Sequence, residues 1–302
     1  MKIVYFGTPD FAVYPLKSLI ENNYKIEAVV TVPDKPKGRG LKLSYSPVKE
    51  FALQHNLKIL QPDNLKDESF INQLKSIQPD LFIVVAYRIL PRAVYTIPTK
   101  GAFNLHGSLL PKYRGAAPIQ WALINGDQIT GLTTFFLEDK VDTGNIILQK
   151  EIIINPEDNF ESLYNKMAIE GAKLVLETVE VIKNNKVILK KQDDTLATPA
   201  PKITKELCQI DWNKSALEIH NLIRGLSPTP GAFFTHNNKL YKILKSNVTD
   251  IKVSKDKIFI IDKNNFYIAT KDFYLSVLEI KPENSKLLKV DEFIRGYAKN
   301  FT

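Results

Sequence analysis

Lys2-Ile3-Val4-Tyr5-Phe6-Gly7-Thr8-Pro9-Asp10-Phe11 decides the fold. From Ile3 to Phe6 the run is apolar, β-branched or aromatic without alternation, the mark of a strand covered on both faces. Gly7-Thr8-Pro9-Asp10 then breaks it, and a helix is predicted over Phe11–Asn22 with Phe11, Leu16, Leu19 and Ile20 as its apolar positions. The pattern recurs. Lys25–Val32 reads as a second strand, and Ser46-Pro47 opens a helix with serine as N-cap and proline at the first helical position. Lys58–Leu60 and Leu81–Ala86 read as strands flanking a helix at Glu68–Ile77, and Ala102–Leu105 is the next strand. Strand–helix alternation with continuously apolar strands predicts an α/β fold with a Rossmann-like, doubly wound, mostly parallel sheet. A dinucleotide fingerprint would place G-x-G-x-x-G after the first strand, but only Gly7 is present, so no bound NAD or FAD is expected.

Farther on, Asn159–Ile182 reads as a long helix with Phe160, Leu163, Met167, Leu174 and Val181 facing inward. Residues 189–209 change character: Asp193, Asp194, Thr195, Thr198, Pro199 and Pro201 suit a linker. A helix at Ser215–Arg224 precedes short strands at Gly231–Thr235, Lys239–Ser246, Lys257–Ile261, Phe266–Thr270 and Phe273–Glu279. Turn-like separators, His236-Asn237-Asn238 and Asp262-Lys263-Asn264-Asn265, make this a small OB-like β-barrel. The expected organisation is therefore a catalytic domain at 1–188, a linker at 189–209 and a C-terminal β-barrel domain at 210–302.

The 302 residues carry a net charge of +8. Residues 201–302 hold 17 Lys+Arg against 11 Asp+Glu, so a third of the chain carries most of the excess. Charge of this kind attracts phosphates in a salt-dependent, sequence-independent way. Cys208 is the single cysteine, which excludes an internal disulfide framework and a cysteine-based metal site. His55, His106, His220 and His236 lack ligand spacing, and no metal is expected. No charged segment followed by an apolar one precedes the first strand, and the strongest apolar runs are far too short to span a bilayer. A soluble, cytoplasmic protein with no membrane association and no obligate protein partner is expected.

The segment Phe103-Asn104-Leu105-His106-Gly107-Ser108-Leu109-Leu110-Pro111 carries the chemistry. Asn104 and His106 lie two apart on a strand end, so both point to one side. An amide and an imidazole facing one way can donate to a single carbonyl oxygen, the layout of an oxyanion-stabilising pair. Gly107-Ser108 turns the chain at the carboxyl end of the sheet, where open α/β folds bind ligands. Taken singly, a buried histidine is usually a satisfied core residue, and an asparagine before a turn is usually a turn former. Asp142 in Val141-Asp142-Thr143-Gly144 is, by itself, an ordinary turn aspartate.

Together, Asn104, His106-Gly107-Ser108-Leu109-Leu110-Pro111 and Asp142-Thr143-Gly144 resemble the formyltransferase family that uses 10-formyltetrahydrofolate. Gly7-Thr8-Pro9-Asp10-Phe11, Lys37-Gly38-Arg39-Gly40, Arg114-Gly115-Ala116-Ala117-Pro118-Ile119-Gln120 and Ile210-Asp211-Trp212 resemble the branch of it that formylates methionyl-tRNA. The resemblance runs from residue 2 to about residue 235. It implies catalysis by Asn104, His106 and Asp142 and folate contact by Ser108, Leu109, Leu110 and Pro111. It implies initiator methionyl-tRNA as acceptor and 10-formyltetrahydrofolate as donor. Many members carry a glycine after the tyrosine matching Tyr87; here Arg88 stands there, and Ala86–Ile89 is left out of the site.

The basic, glycine-punctuated loop Pro33–Ser46 follows a strand's carboxyl end and holds Lys35, Lys37, Arg39 and Lys42. A solvated loop is the plain reading; the resemblance implies that it enters the tRNA acceptor end. Direct attack by a primary amine needs no covalent enzyme intermediate, and Cys208 lies far from the motif. Asn104 and protonated His106 would hold the tetrahedral oxygen, and Asp142 would accept or relay the amine's proton. Three other readings stand beside this one: a formyltransferase acting on a small amine such as glycinamide ribonucleotide or an amino-sugar nucleotide, a non-catalytic RNA-binding protein, and a nucleotide-dependent oxidoreductase.

Overall fold

The structure, a computed structural model, describes residues 1–37, 42–254 and 256–301. The opening run forms β1 (Ile3–Gly7), buried along its whole length. A 3-10 turn at Asp10–Ala12 leads into α1 (Val13–Glu21), followed by β2 (Ile26–Val30). In the described part of the basic segment, β3 (Lys35–Lys37) and β4 (Lys42–Ser44) pair antiparallel, with Lys37 opposite Lys42. What the sequence presents as a loop is thus, at its base, a ribbon. Helix α2 (Pro47–Gln54) starts where predicted, with Ser46 Oγ accepting the Lys49 amide at 3.1 Å and so satisfying one orphan donor of the first turn.

β5 (Ile59–Leu60), α3 (Glu68–Ile77), β6 (Leu81–Val85) and β7 (Ala102–His106) complete the predicted alternation, with a short, unpredicted α4 (Arg92–Tyr95) between the last two. Then come β8 (Arg114–Gly115), α5 (Pro118–Ile124), β9 (Ile129–Phe136) and β10 (Ile146–Ile153). None of these four was expected. β9 is almost wholly buried yet contains Thr130, Thr133 and Thr134, and these hydroxyls hide the apolar run. Burial is tolerated for Thr133 and Thr134 because both are hydrogen-bonded: Thr133 Oγ1 donates to Ser108 O at 2.7 Å, and Thr134 meets Thr178 at 2.8 Å.

Helix α6 (Phe160–Lys183) buries Leu163, Met167 and Leu174 as expected. Val175, Val179 and Ile182 continue the inner face at helical spacing, while Phe160 and Val181 are only half-buried. After it come β11 (Pro199–Ala200), α7 (Ala216–Leu226), β12 (Ala232–His236), β13 (Lys239–Lys252), β14 (Phe259–Ile261), β15 (Phe266–Ala269), β16 (Phe273–Pro282), β17 (Leu288–Lys289) and α8 (Val290–Tyr297).

The chain divides into two compact units. One comprises Met1–Gly115, Thr130–Ile152 and Tyr164–Pro199; the other comprises Ala116–Ile129, Ile153–Leu163 and Ala200–Thr302. In the first, the strand order is β10-β9-β7-β6-β1-β2-β5. β1 pairs in parallel with both β2 and β6, β6 with β7 and β2 with β5, whereas β9 runs antiparallel to β7. The sheet is Rossmann-like and mostly parallel. Its order reverses between β1 and β6, so the carboxyl ends of β1 and β6 flank the switch point, where open sheets bind ligands, and the carboxyl end of β7 lies next to that of β6.

The second unit is an antiparallel sheet of order β12-β13-β16-β15-β14, with β17 also on β16. β13 runs beyond its predicted end at Ser246, keeping its pairing with β16 through three register breaks. The sheet rolls, because its outer strands β12 and β14 approach until the His236 and Phe259 rings are 5.0 Å apart. Phe234, Tyr241, Phe266, Phe293 and Phe301 fill the interior of the roll. α8, which strand-based reading missed, supplies Phe293 to that cluster. Cys208 is buried there, and burial pushes its thiol pKa up, away from nucleophilic use.

Candidate active site

Asn104 and His106 occupy the end of β7, which is held on one side by β6 and on the other by β9. Asn104 stands opposite Phe135 and His106 opposite Thr133, so pairing on both edges fixes the direction in which the two side chains point. His106 is buried, its ring edge-on to Phe135 at 6.5 Å between centroids. Its Nε2 lies 2.8 Å from the carbonyl oxygen of Tyr113, an atom that can only accept, so Nε2 carries a hydrogen there. Nδ1 faces the Asp142 carboxylate, with Oδ2 at 3.8 Å. Asn104 is half-buried, and its amide makes no hydrogen bond to another described residue.

Asp142 sits 36 positions beyond His106 in the turn between β9 and β10, with φ +56, a left-handed conformation that aspartate tolerates better than most residues. Its Oδ2 accepts the Gly115 amide at 2.9 Å. The turn is fastened from behind by Gln192, whose Nε2 donates to Asp142 O at 3.0 Å and Gly144 O at 2.8 Å. Gln192 Oε1 accepts from Arg114 Nε at 3.1 Å and Nη2 at 2.8 Å. The fold therefore brings His106 and Asp142 together and sets Asn104 beside His106 on the same strand.

The segment after His106 is divided in its exposure. Ser108 is fully buried, its hydroxyl donating to Lys112 O at 2.6 Å, and Leu110 packs with Phe135 and Ile146. Leu109 and Pro111 are half-exposed. Gln149 Nε2 donates to Leu110 O at 2.9 Å, and the Leu110 amide donates to Thr133 Oγ1 at 3.1 Å, so the turn's backbone is pinned to the sheet. Among the basic residues, Lys35 is exposed, Lys37 and Lys42 are paired in backbone register, and Arg39 lies outside the described residues. The ribbon's base is held by Asp34, whose carboxylate is 2.5 Å from Lys49 Nζ and 2.8 Å from Gln61 Nε2. Those contacts hold the Asp34 carboxyl below the usual carboxylate range.

Sequence reasoning gave no role to Tyr113, Gly115 or Gln192. Each acts through a backbone group or a carboxamide, contacts that leave no mark in residue type or spacing. Among the described residues no group of three or more His, Cys, Asp or Glu is arranged to hold a metal, and no helix is long and apolar enough to cross a membrane.

Sequence comparison places this geometry. The family pattern described as formyl transferase matches residues 1–179, and that described as formyl transferase, C-terminal domain, matches residues 202–298. A methionyl-tRNA formyltransferase from Bacteroides thetaiotaomicron is 46% identical over 315 aligned positions, covering 98% of this chain and 96% of the relative. One from Thermodesulfovibrio yellowstonii is 47% identical over 295, covering 97% and 95%. Among solved structures, the sugar 3N-formyl transferase WlaRD, crystallised with dTDP and 5-N-formyl-THF, superposes with a TM-score of 0.70 at 24% identity, covering 95% of this chain and 99% of its own. With both family patterns matched and near-half identity along its whole length, the chain belongs to the formyl transferase family.

Proposed function

We propose that this protein transfers the formyl group of 10-formyltetrahydrofolate to the free α-amino group of methionyl-tRNA, in the cytoplasm and at the initiator tRNA. The observation that carries the chemistry is the convergence of His106 and Asp142 at 3.8 Å, next to an Asn104 amide with no hydrogen bond to another described residue. Full-length identity of 46–47% to methionyl-tRNA formyltransferases supports the acceptor.

The amine nitrogen attacks the formyl carbon, and the carbonyl π electrons move to oxygen. The tetrahedral oxygen needs preorganised donors, which Asn104 Nδ2 and His106 supply; loss of one such donor costs about 10²–10³ in kcat. Because Nε2 is engaged by Tyr113 O, the mobile ring proton belongs on Nδ1, the atom facing Asp142. The attacking nitrogen gives up a proton to Asp142, directly or through a water. Collapse breaks the bond from carbon to the folate N10, which takes up the proton released by the amine, returned through Asp142, His106 or a water, and leaves as tetrahydrofolate. Of the stretch 108–111, Leu109 and Pro111 are the side chains with surface to offer the folate, while Ser108 and Leu110 hold their backbone in place.

We assign this chemistry to residues 1–188 and tRNA affinity to residues 210–302 together with the basic residues Lys35, Lys37, Arg39 and Lys42 of the segment 33–46. Phosphate contacts of this kind are sequence-independent and weaken steeply with salt. The WlaRD likeness extends over both units, so chain extent alone does not exclude an amino-sugar acceptor. A formylation assay with 10-formyltetrahydrofolate as donor decides the matter. Methionyl-tRNA should be formylated far faster than free methionine, glycinamide ribonucleotide or an amino-sugar nucleotide. Faster turnover of any small amine would overturn the proposed acceptor.

A further inference from the structure

We infer that Gln192 is a positioning residue for the formyl transfer, clamping the Asp142 turn so that its carboxylate stays against His106. The inference rests on the proposed role of Asp142. Gln192 belongs to a stretch, Lys190-Lys191-Gln192-Asp193-Asp194, whose composition reads as connecting chain. Its side chain nevertheless behaves as an interior group, only 6% exposed. All four of its polar interactions are made at 3.1 Å or less: two donated to Asp142 O and Gly144 O, two accepted from Arg114.

Chemistry fixes the orientation of the carboxamide. Turning it over would set its oxygen against two carbonyl oxygens and its NH2 against a guanidinium, replacing four attractive contacts with repulsive ones. Arg114 is itself anchored: its Nη2 pairs with Asp194 Oδ1 at 2.7 Å, and its amide donates to Thr198 O at 2.8 Å. The residue after Arg114 is Gly115, whose amide holds Asp142 Oδ2. Arg114 and Gln192 therefore act as one frame that reaches Asp142 by two routes, its main-chain carbonyl and its carboxylate. A left-handed aspartate in a surface turn has few other reasons to keep one orientation.

Two features argue that the frame serves catalysis rather than folding alone. A buried amide with four satisfied contacts contributes specificity of position more than net stability, since each bond replaces one to water. Its contacts also converge on the turn that carries the proposed base, and a displacement of about 1 Å there costs about 10²-fold in rate.

The test is a double-mutant cycle on the full chain. Gln192→Glu keeps size and the acceptor for Arg114 but sets a carboxylate against two carbonyl oxygens; Gln192→Met keeps length and removes every polar contact. Each should lower kcat for methionyl-tRNA formylation about 10- to 100-fold, with KM for either substrate within about twofold. Combined with Asp142→Ala, neither should lower kcat further. The His106 ring 15N shifts should move in both single variants toward those of Asp142→Ala. Single variants with kcat within about threefold of wild type would overturn the inference. So would losses that multiply with that of Asp142→Ala, the result for a residue that only supports the fold. A fully active Asp142→Ala protein would instead refute the catalytic reading of Asp142 itself.

Discussion

Replacing Gly144 by alanine would put a Cβ 1.7 Å from the carbonyl oxygen of Phe136 and 2.9 Å from the carbon of that carbonyl. Ordinary carbon–oxygen contacts lie at about 3.3 Å or more, so the two backbones must part by roughly 1.6 Å. Phe136 cannot supply the movement cheaply, because it is the last residue of β9 and pairs with Phe103 of β7. The turn of Asp142–Gly144 must move instead. Its displacement breaks the Gln192 bonds at 2.8 and 3.0 Å and draws Asp142 away from the Gly115 amide and from His106. A shift above 1 Å at the proposed catalytic carboxylate is worth about 10²-fold in rate, while overpacking a turn costs about 1–3 kcal/mol of stability. Single-turnover formylation with both substrates saturating should therefore slow about 100-fold in a protein that still melts cooperatively. A folded Gly144→Ala variant with a rate within threefold of wild type would refute the claim that this turn's position sets the rate.

Further outcomes concern the second unit. Phe293→Ala removes a fully buried ring whose centroid lies 5.4 Å from Phe266 and 5.2 Å from Tyr297; denaturant titration should show a loss of about 3–5 kcal/mol in that unit. Asp272 Oδ1 accepts the Ala216 and Phe273 amides, both at 2.8 Å, and these bonds hold its carboxyl below the usual range. The folded-state pKa is depressed, so this contribution is complete above about pH 4 and disappears as pH falls through the lowered value. Acid unfolding followed by tryptophan fluorescence should begin at higher pH than otherwise in Asp272→Asn, which lacks the charge at every pH. Gly296, exposed in α8 with nothing within 4 Å of a built Cβ, should tolerate alanine and gain about 0.5–1 kcal/mol in the same titration.

The sequence revealed what rests on local physics. β1 and β6 are unbroken apolar runs, α2 carries its own Ser46-Pro47 start signal, and period-two geometry was enough to put Asn104 and His106 of β7 on one side of a strand. It was silent where tertiary contact decides. β9 was hidden because two of its threonines, Thr133 and Thr134, satisfy their hydroxyls with Ser108 O and Thr178, partners far away in the chain. The basic segment looked like a loop because neither Lys-Pro-Lys nor Lys-Leu-Ser is a strong strand former, yet cross-strand bonds pair them. Gln192 went unnoticed for the same reason: its partners lie 48 to 78 positions away, and nothing in Lys-Lys-Gln-Asp-Asp points to them. Asp142 was singled out only through the motif it shares with a family, since a turn aspartate alone carries no chemical signature.

The most direct test replaces Asp142 by asparagine, which keeps the side chain's size and its acceptor for the Gly115 amide while removing the charge and the proposed base. Single-turnover formylation of saturating methionyl-tRNA should fall by about 10²–10⁴-fold, while the dissociation constant for methionyl-tRNA, measured at the same salt, stays within about twofold. An Asp142→Asn enzyme that transfers formyl at the wild-type rate, or one that loses rate only as far as it loses tRNA, would contradict the account.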